Sequence, residues 1–88
     1  MNWIHVVIPV YNAVLYLRET VESVLKQPYK RIDIVLVDDG STDGTSELCD
    51  EIANTEERVN VIHQINSGVS VARNRGIEYF LNQGSIGS

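Results

Sequence analysis

The sequence holds a single cysteine, Cys49, so no disulfide can form within the chain. One free thiol fits a reducing compartment, and a cytoplasmic setting is the expectation, with a longer parent protein free to associate with a membrane. Long apolar runs are also scarce. The longest, Trp3 to Val10, is broken by His5 and Pro9 and falls far short of the ~20 residues of a membrane-spanning helix. No basic segment followed by a long apolar core opens the chain, so no secretory leader is expected. Positive charge is in the minority, with 7 Lys and Arg against 12 Asp and Glu and a net charge of -5. Phosphate backbones need a basic footprint, which argues against nucleic acid as a partner. Neither GxGxxG nor GxxxxGK[ST] occurs, so the common glycine-rich phosphate loops are absent.

What is present suits one small folded unit. The 88 residues suffice for a single domain. With 43% hydrophobic and 22% charged residues, the chain has an ordinary globular composition rather than a disordered one. A domain of this size buries only ~60–65% of its unfolded surface, so its stability margin is thin. Three runs rich in β-branched residues recur: "WIHVVIPV" (Trp3 to Val10), "IDIVLVD" (Ile32 to Asp38) and "VNVIHQI" (Val59 to Ile65). The first two are almost continuously apolar, as in parallel strands covered on both faces. The third alternates more and is expected nearer an edge.

Helical spacing fills the intervals. Val14, Leu17, Val21, Val24 and Leu25 form one stripe, with Asn12 as a plausible N-cap. Leu48, Cys49, Ile52 and Ala53 form a second, capped by Thr42 or Asp43. Val69, Ala72, Gly76, Ile77, Phe80 and Leu81 form a third, with Ser67 as the candidate cap. Gly76 inside this helix costs ~1 kcal/mol relative to Ala unless something packs closely there. The order β-α-β-α-β-α predicts an α/β fold: a three-layer αβα arrangement around a parallel, Rossmann-like sheet with right-handed crossovers. Residues 1–88 read as one unit, with 82–88 a flexible tail.

Ligands of open parallel sheets bind outside the carboxyl ends of the strands. Those ends carry "PVYN" (Pro9 to Asn12), "DDGSTD" (Asp38 to Asp43) and "NSG" (Asn66 to Gly68), followed by "VARNRG" (Val71 to Gly76). The unusual polar residues thus converge on one rim. Asp38 and Asp39 offer acceptors for a ring N–H, a ribose hydroxyl or a metal ion; either alone could simply open a turn before Gly40. Tyr11 could stack on a planar base or be a half-buried strand-end aromatic. Arg73 could pair a phosphate or neutralise one of the two carboxylates, whereas Arg75 reads as a solvated or structural ion. His5 and His63 show no metal-ligand spacing and read as structural. Cys49 reads as core. Ser41, Ser67 and Ser70 lack a base partner.

Taken together, "VVIPVYN", "IDIVLVDDGSTDGT" and "NSGVSVARNRGI" closely resemble the start of a family 2 glycosyltransferase with the GT-A fold. The resemblance runs from Ile4 to Leu81. It implies the first half of a GT-A domain, whose role is to hold the nucleotide of a nucleotide-diphosphate sugar, with a UDP-sugar foremost. Pro9 and Tyr11 would then line the base pocket, and one of Asp38 and Asp39 would accept from the base. Arg73 would lie against the base or near the diphosphate, while Asn66 and Gly68 would shape the loop below the third helix. The resemblance further implies a DxD-type acidic motif that binds a divalent metal (Mn or Mg), and a catalytic base, both beyond Ser88. The isolated chain is therefore expected to bind donor without transferring sugar. In such sheets the first strand is central, so its outer edge, Ile4 to Ile8, would be bare here and open to a homodimer or domain swap. Two other classes fit less of the chain. One is a non-catalytic interaction module with the same fold. The other is a phosphoacceptor receiver, which needs its acidic pair after the first strand.

Overall fold

The computed structural model describes residues 2–83. Three strands, β1 (Ile4–Val10), β2 (Ile32–Asp39) and β3 (Val59–Gln64), alternate with three helices, α1 (Leu17–Leu25), α2 (Thr45–Thr55) and α3 (Val69–Asn82). The sheet order is β1-β2-β3 and both pairings are parallel. The expected α/β, Rossmann-like sandwich is therefore the observed one. β2 is central and buried along its length apart from a partly covered Asp33, which is why its sequence does not alternate. β3 lies at one edge. β1 pairs with β2 from Ile4↔Ile32 to Val10↔Asp38 and has no second partner among the described residues.

Successive strand residues face opposite sides, and this splits the core in two. Ile32, Ile34 and Leu36 pack with Leu17, Val21, Cys49 and Ile52, so α1 and α2 cover one face. Val35 and Val37 pack with Ala72 and Phe80, so α3 covers the other. Gly76 is where α3 sits down on β1. A Cβ there would lie 2.3 Å from Val7 Cγ1, so the close packing that the glycine demanded is present.

The helix starts differ from expectation. α1 begins at Leu17, and its N-cap is Tyr16 rather than Asn12. Asn12 instead adopts a left-handed conformation (φ 49°), tolerated by its short polar side chain, and Val14 falls in the turn before the helix. α2 is capped by Gly44, and α3 by Gly68 rather than Ser67. Asp43 still does a cap's work from one residue earlier, because its Oδ1 accepts from the Thr45 N–H at 3.0 Å. The Ser67 hydroxyl donates back to the Ile65 carbonyl and is lost to the helix. β3 stops at Gln64, leaving Ile65 outside the strand and exposed. α3 runs through Asn82, so residue 82 is helical; residues 84–88 of the expected tail lie outside the described residues.

Candidate functional site

The chain steps from β1 to β2 to β3 on one side, then turns back. α3 leaves the end of β3 and crosses the opposite face to pack on β2 and β1. That reversal opens a crevice at the carboxyl ends of β1 and β2, the place where open α/β sheets receive ligands. A cleft of about 290 Å³ occupies it. Pro9, Val10 and Tyr11 form the β1 wall, Asp39 the β2 wall, and Asn66, Gly68, Val69 and Ala72 the α3 wall. Tyr11 is 52% exposed and offers its ring to the opening.

Asp39 is only 4% exposed and accepts four protein hydrogen bonds. Oδ1 accepts from Gln64 Nε2 at 2.9 Å and from the Ser67 N–H at 2.7 Å. Oδ2 accepts from Asn66 Nδ2 at 3.2 Å and from the Gly68 N–H at 3.0 Å. The Gln64 amide, followed by the Ser67 and Gly68 backbone, holds this carboxyl below the usual range despite burial and the charge of Asp38. Its charge also sits at the N-terminus of α3, where the helix dipole favours an anion. Two glycines make the approach feasible. Gly68 (φ 102°, ψ 160°) takes a backbone conformation open essentially to glycine alone. Gly40 (φ 72°) would place a Cβ 2.7 Å from the Asn66 backbone nitrogen.

Asp38 faces the other side. It is 1% exposed and accepts from the Ser41 N–H at 3.1 Å and from the Ser46 hydroxyl. Its Oδ2 also lies 2.8 Å from His63 Nδ1. Burial pushes this carboxyl up, but the bonds from Ser41, Ser46 and His63 outweigh it and hold the group low. His63 Nε2 lies 2.8 Å from Asp50 Oδ1. Hydrogen bonds to Asp50 and then Asp38 raise the imidazole above its ordinary value against the opposing effect of burial.

The structure therefore brings five of the seven residues singled out from sequence, Pro9, Tyr11, Asp39, Asn66 and Gly68, to one cleft. Asp38 is turned to the far face. Arg73 follows Ala72 on α3, is exposed, and forms no ion pair with Asp38 or Asp39 among the described residues. Of the two roles open to Arg73, neutralising a carboxylate is not the one observed; hydrogen bonding answers each carboxylate separately.

Sequence reasoning missed two things. One is His63, whose partners Asp38 and Asp50 are distant in sequence and meet only after folding. The other is the purpose of the hydroxyl-rich segment after β2. Asn12 N–H donates to Ser41 Oγ at 3.0 Å, Ala13 N–H to Thr45 Oγ1 at 2.8 Å, and Thr42 N–H to Asn12 Oδ1 at 2.8 Å. These bonds satisfy the backbone that follows Tyr11 and fix it beside the cleft. The density of Ser, Thr and Asp in "GSTDGT" was the available signal.

No group of three His, Cys, Asp or Glu side chains among the described residues is placed to hold a metal ion. Asp38 and Asp39 diverge, and their oxygens are engaged by the protein, so no metal-dependent step is assigned to them. No helix among the described residues is long and apolar enough to cross a membrane.

Comparison with known proteins follows the same residues. The family model described as Glycosyl transferase family 2 matches residues 5–83. Glycosyltransferase GlyG of Streptococcus pneumoniae is 52% identical over 75 residues, which is 84% of this chain and 25% of that protein. Among solved structures, the mannosyltransferase PcManGT from Pyrobaculum calidifontis, in complex with GDP-Man and Mn2+, superposes with a TM-score of 0.78 at 25% identity. That match covers 86% of this chain and 24% of that one. S. aureus TarS superposes with a TM-score of 0.74 at 30% identity, over 90% of this chain and 14% of that one. The chain thus spans a quarter or less of the length of each of these three relatives.

Proposed function

Since this chain belongs to glycosyl transferase family 2, we propose that it is the segment of a longer transferase that holds the nucleotide of a nucleotide-diphosphate sugar donor. The observation that carries this reading is Asp39: a buried carboxylate, fixed by four donors, at the end of a cleft walled by an exposed tyrosine. A nucleobase stacks on Tyr11 and Pro9, and its ring N–H donates to Asp39. The carboxylate has about four acceptor positions, all engaged, so the base displaces one side-chain amide, Gln64 or Asn66, while the Ser67 and Gly68 backbone bonds persist. One donor replaces another, so the carboxylate itself stays fully paired.

This arithmetic favours uracil, which presents one ring N–H. Guanine presents two adjacent donors and requires both carboxylate oxygens, although the related PcManGT holds GDP-Man. Arg73, in the first turns of α3, remains available for the diphosphate. In this reading the longer protein moves the sugar to an acceptor hydroxyl, using a divalent metal and a base from outside this chain, which alone binds donor without transfer.

Isothermal titration tests the reading. UDP binds the 88-residue chain, GDP binds more weakly, and Tyr11→Ala and Asp39→Ala each lose affinity. Equal heats for all three proteins would remove the cleft from consideration.

A second reading, as a self-associating module, rests on the outer edge of β1, which has no partner strand among the described residues. Beside it lies an apolar cavity of about 500 Å³ lined by Ile4, Val6, Val24, Pro28, Tyr29 and Ile32. Unpaired apolar edges invite another strand, and a second copy of the chain is the occupant proposed. Light scattering on the eluting protein gives a dimer in this reading; a monomer at every concentration contradicts it.

A further inference from the structure

His63 lies on the face opposite the cleft, yet its contacts lead back to the cleft wall. Its ring spans the end of β2 and the middle of α2, with Nδ1 at 2.8 Å from Asp38 and Nε2 at 2.8 Å from Asp50. A neutral imidazole carries one N–H and one lone pair. With a carboxylate at each nitrogen, the neutral ring points a lone pair at an anion; only the imidazolium donates to both. Geometry alone thus selects the charged form. Among the described residues, no Lys or Arg lines this place. The surrounding cavity is lined by Asp38 and Gly40 from β2 and the turn after it, Ser46, Glu47 and Asp50 from the start and body of α2, and Gln64 beside His63 on β3. Cys49, also on α2, has its thiol pushed up to about 12 by burial and by Asp38 and Asp50, so it stays neutral.

The path onward is a chain of hydrogen bonds. Asp38 accepts from the Ser41 N–H at 3.1 Å, and Ser41 Oγ accepts from the Asn12 N–H at 3.0 Å. Asn12 is the residue after Tyr11 and is held in a left-handed conformation. We infer that His63 is a positioning residue: as an imidazolium tying Asp38 to Asp50, it fixes the turn after β2 and, through Ser41 and Asn12, the Tyr11 wall of the cleft. Loss of its proton leaves one of the two carboxylates without a donor, breaks the tie between β2 and α2, loosens that wall and weakens binding in the cleft. The binding half of this statement rests on the nucleotide reading above; the coupling between His63 and Tyr11 does not.

The experiment uses the 88-residue chain and uridine, which has no phosphate to titrate near neutrality. NMR follows the His63 ring and the Tyr11 and Asn12 amides from about pH 5.5 to pH 9. The two amides are expected to shift with the midpoint of His63; amides that ignore that midpoint overturn the coupling. Uridine affinity is then measured from about pH 5.5 to about pH 8, below the titration of its own ring N–H. In the wild type it falls about fivefold as His63 deprotonates, the lower end of ordinary site-to-site coupling. His63→Arg, always charged and able to donate to two carboxylates, retains the low-pH affinity and loses the pH dependence. His63→Gln binds weakly at every pH. A wild-type profile identical to that of His63→Arg overturns the positioning role. Should uridine bind none of the proteins, the nucleotide reading fails, and the ligand-free amide shifts still decide the coupling.

Discussion

Asp38 and Asp39 are adjacent in sequence and serve opposite faces of the sheet. Asp38 closes onto His63 and the start of α2, while Asp39 closes onto Gln64, Asn66 and the N-terminus of α3. Two like charges at one strand end are tolerable because the strand's alternation separates their side chains and each carries its own donors. The pair is two independent anchors, one for each helical layer.

Substitution should therefore separate the two. Asp39→Asn places an amide among donors that want an acceptor, so the Ser67–Gly68 loop opens and nucleotide affinity falls by about tenfold or more, the usual consequence of an unpaired buried group. Asp38→Asn touches no cleft-lining donor directly and reaches the Tyr11 wall only through Ser41 and Asn12, so its binding loss is smaller. Parallel titrations of the two variants check the order. Equal losses contradict independent anchoring.

Stability should respond to pH on both sides of neutrality. Asp38, Asp39 and Asp43 titrate below their ordinary value of 3.8 in the fold. Their contribution is present above that value and is lost as pH falls through their lowered folded values. His63 titrates above 6.5. Its contribution is complete below 6.5 and is lost as pH rises through the raised folded value. Thermal melts up to about pH 8.5, below the range in which the buried Cys49 thiol adds its own loss, should show both limbs, and His63→Gln should remove the alkaline one.

Gly76 gives a packing test. Gly76→Ala gains helix propensity of about 1 kcal/mol but drives a methyl into Val7, a stiff β-branched side chain. The overpacking costs about 1–3 kcal/mol, so net destabilisation or near-neutrality is expected. Val7→Ala removes the obstructing atoms, and the double variant should be more stable than the sum of the single effects predicts. Urea unfolding of the four proteins measures the coupling. Strict additivity would show that α3 does not rest on β1 at this point.

Much of this was legible beforehand. The three runs rich in β-branched residues marked the strands, the first two by near-continuous apolar character and the third by alternation at an edge. The strand ends fixed the rim and with it Tyr11, Gly68 and the Asp38–Asp39 pair, without telling which carboxylate faces the cleft. Helix starts were less legible. Asn12 and Ser67 are good cap residues by type, yet their side chains are drawn into cross-loop or local bonds that no periodicity reveals. The separate fates of Asp38 and Asp39 follow from strand alternation, but only once both are placed inside β2. His63 was hidden because a lone histidine in a strand says nothing of Asp50 from a distant helix.

Cys49 offers a probe of local opening. Its thiol, buried and pushed up to about 12, should resist iodoacetamide in the folded chain at about pH 8 and react once urea unfolds it. Rapid labelling without denaturant would contradict the tight seating of α2.

The most direct test of the central claim is an amide chemical-shift map of the 88-residue chain titrated with UDP. Saturable shifts concentrated at Tyr11, Asp39, Gly68, Val69 and Ala72 are the predicted result. Shifts confined to α1 and α2, or none at all at those five residues, would contradict a nucleotide seat at the β1–β2 crevice.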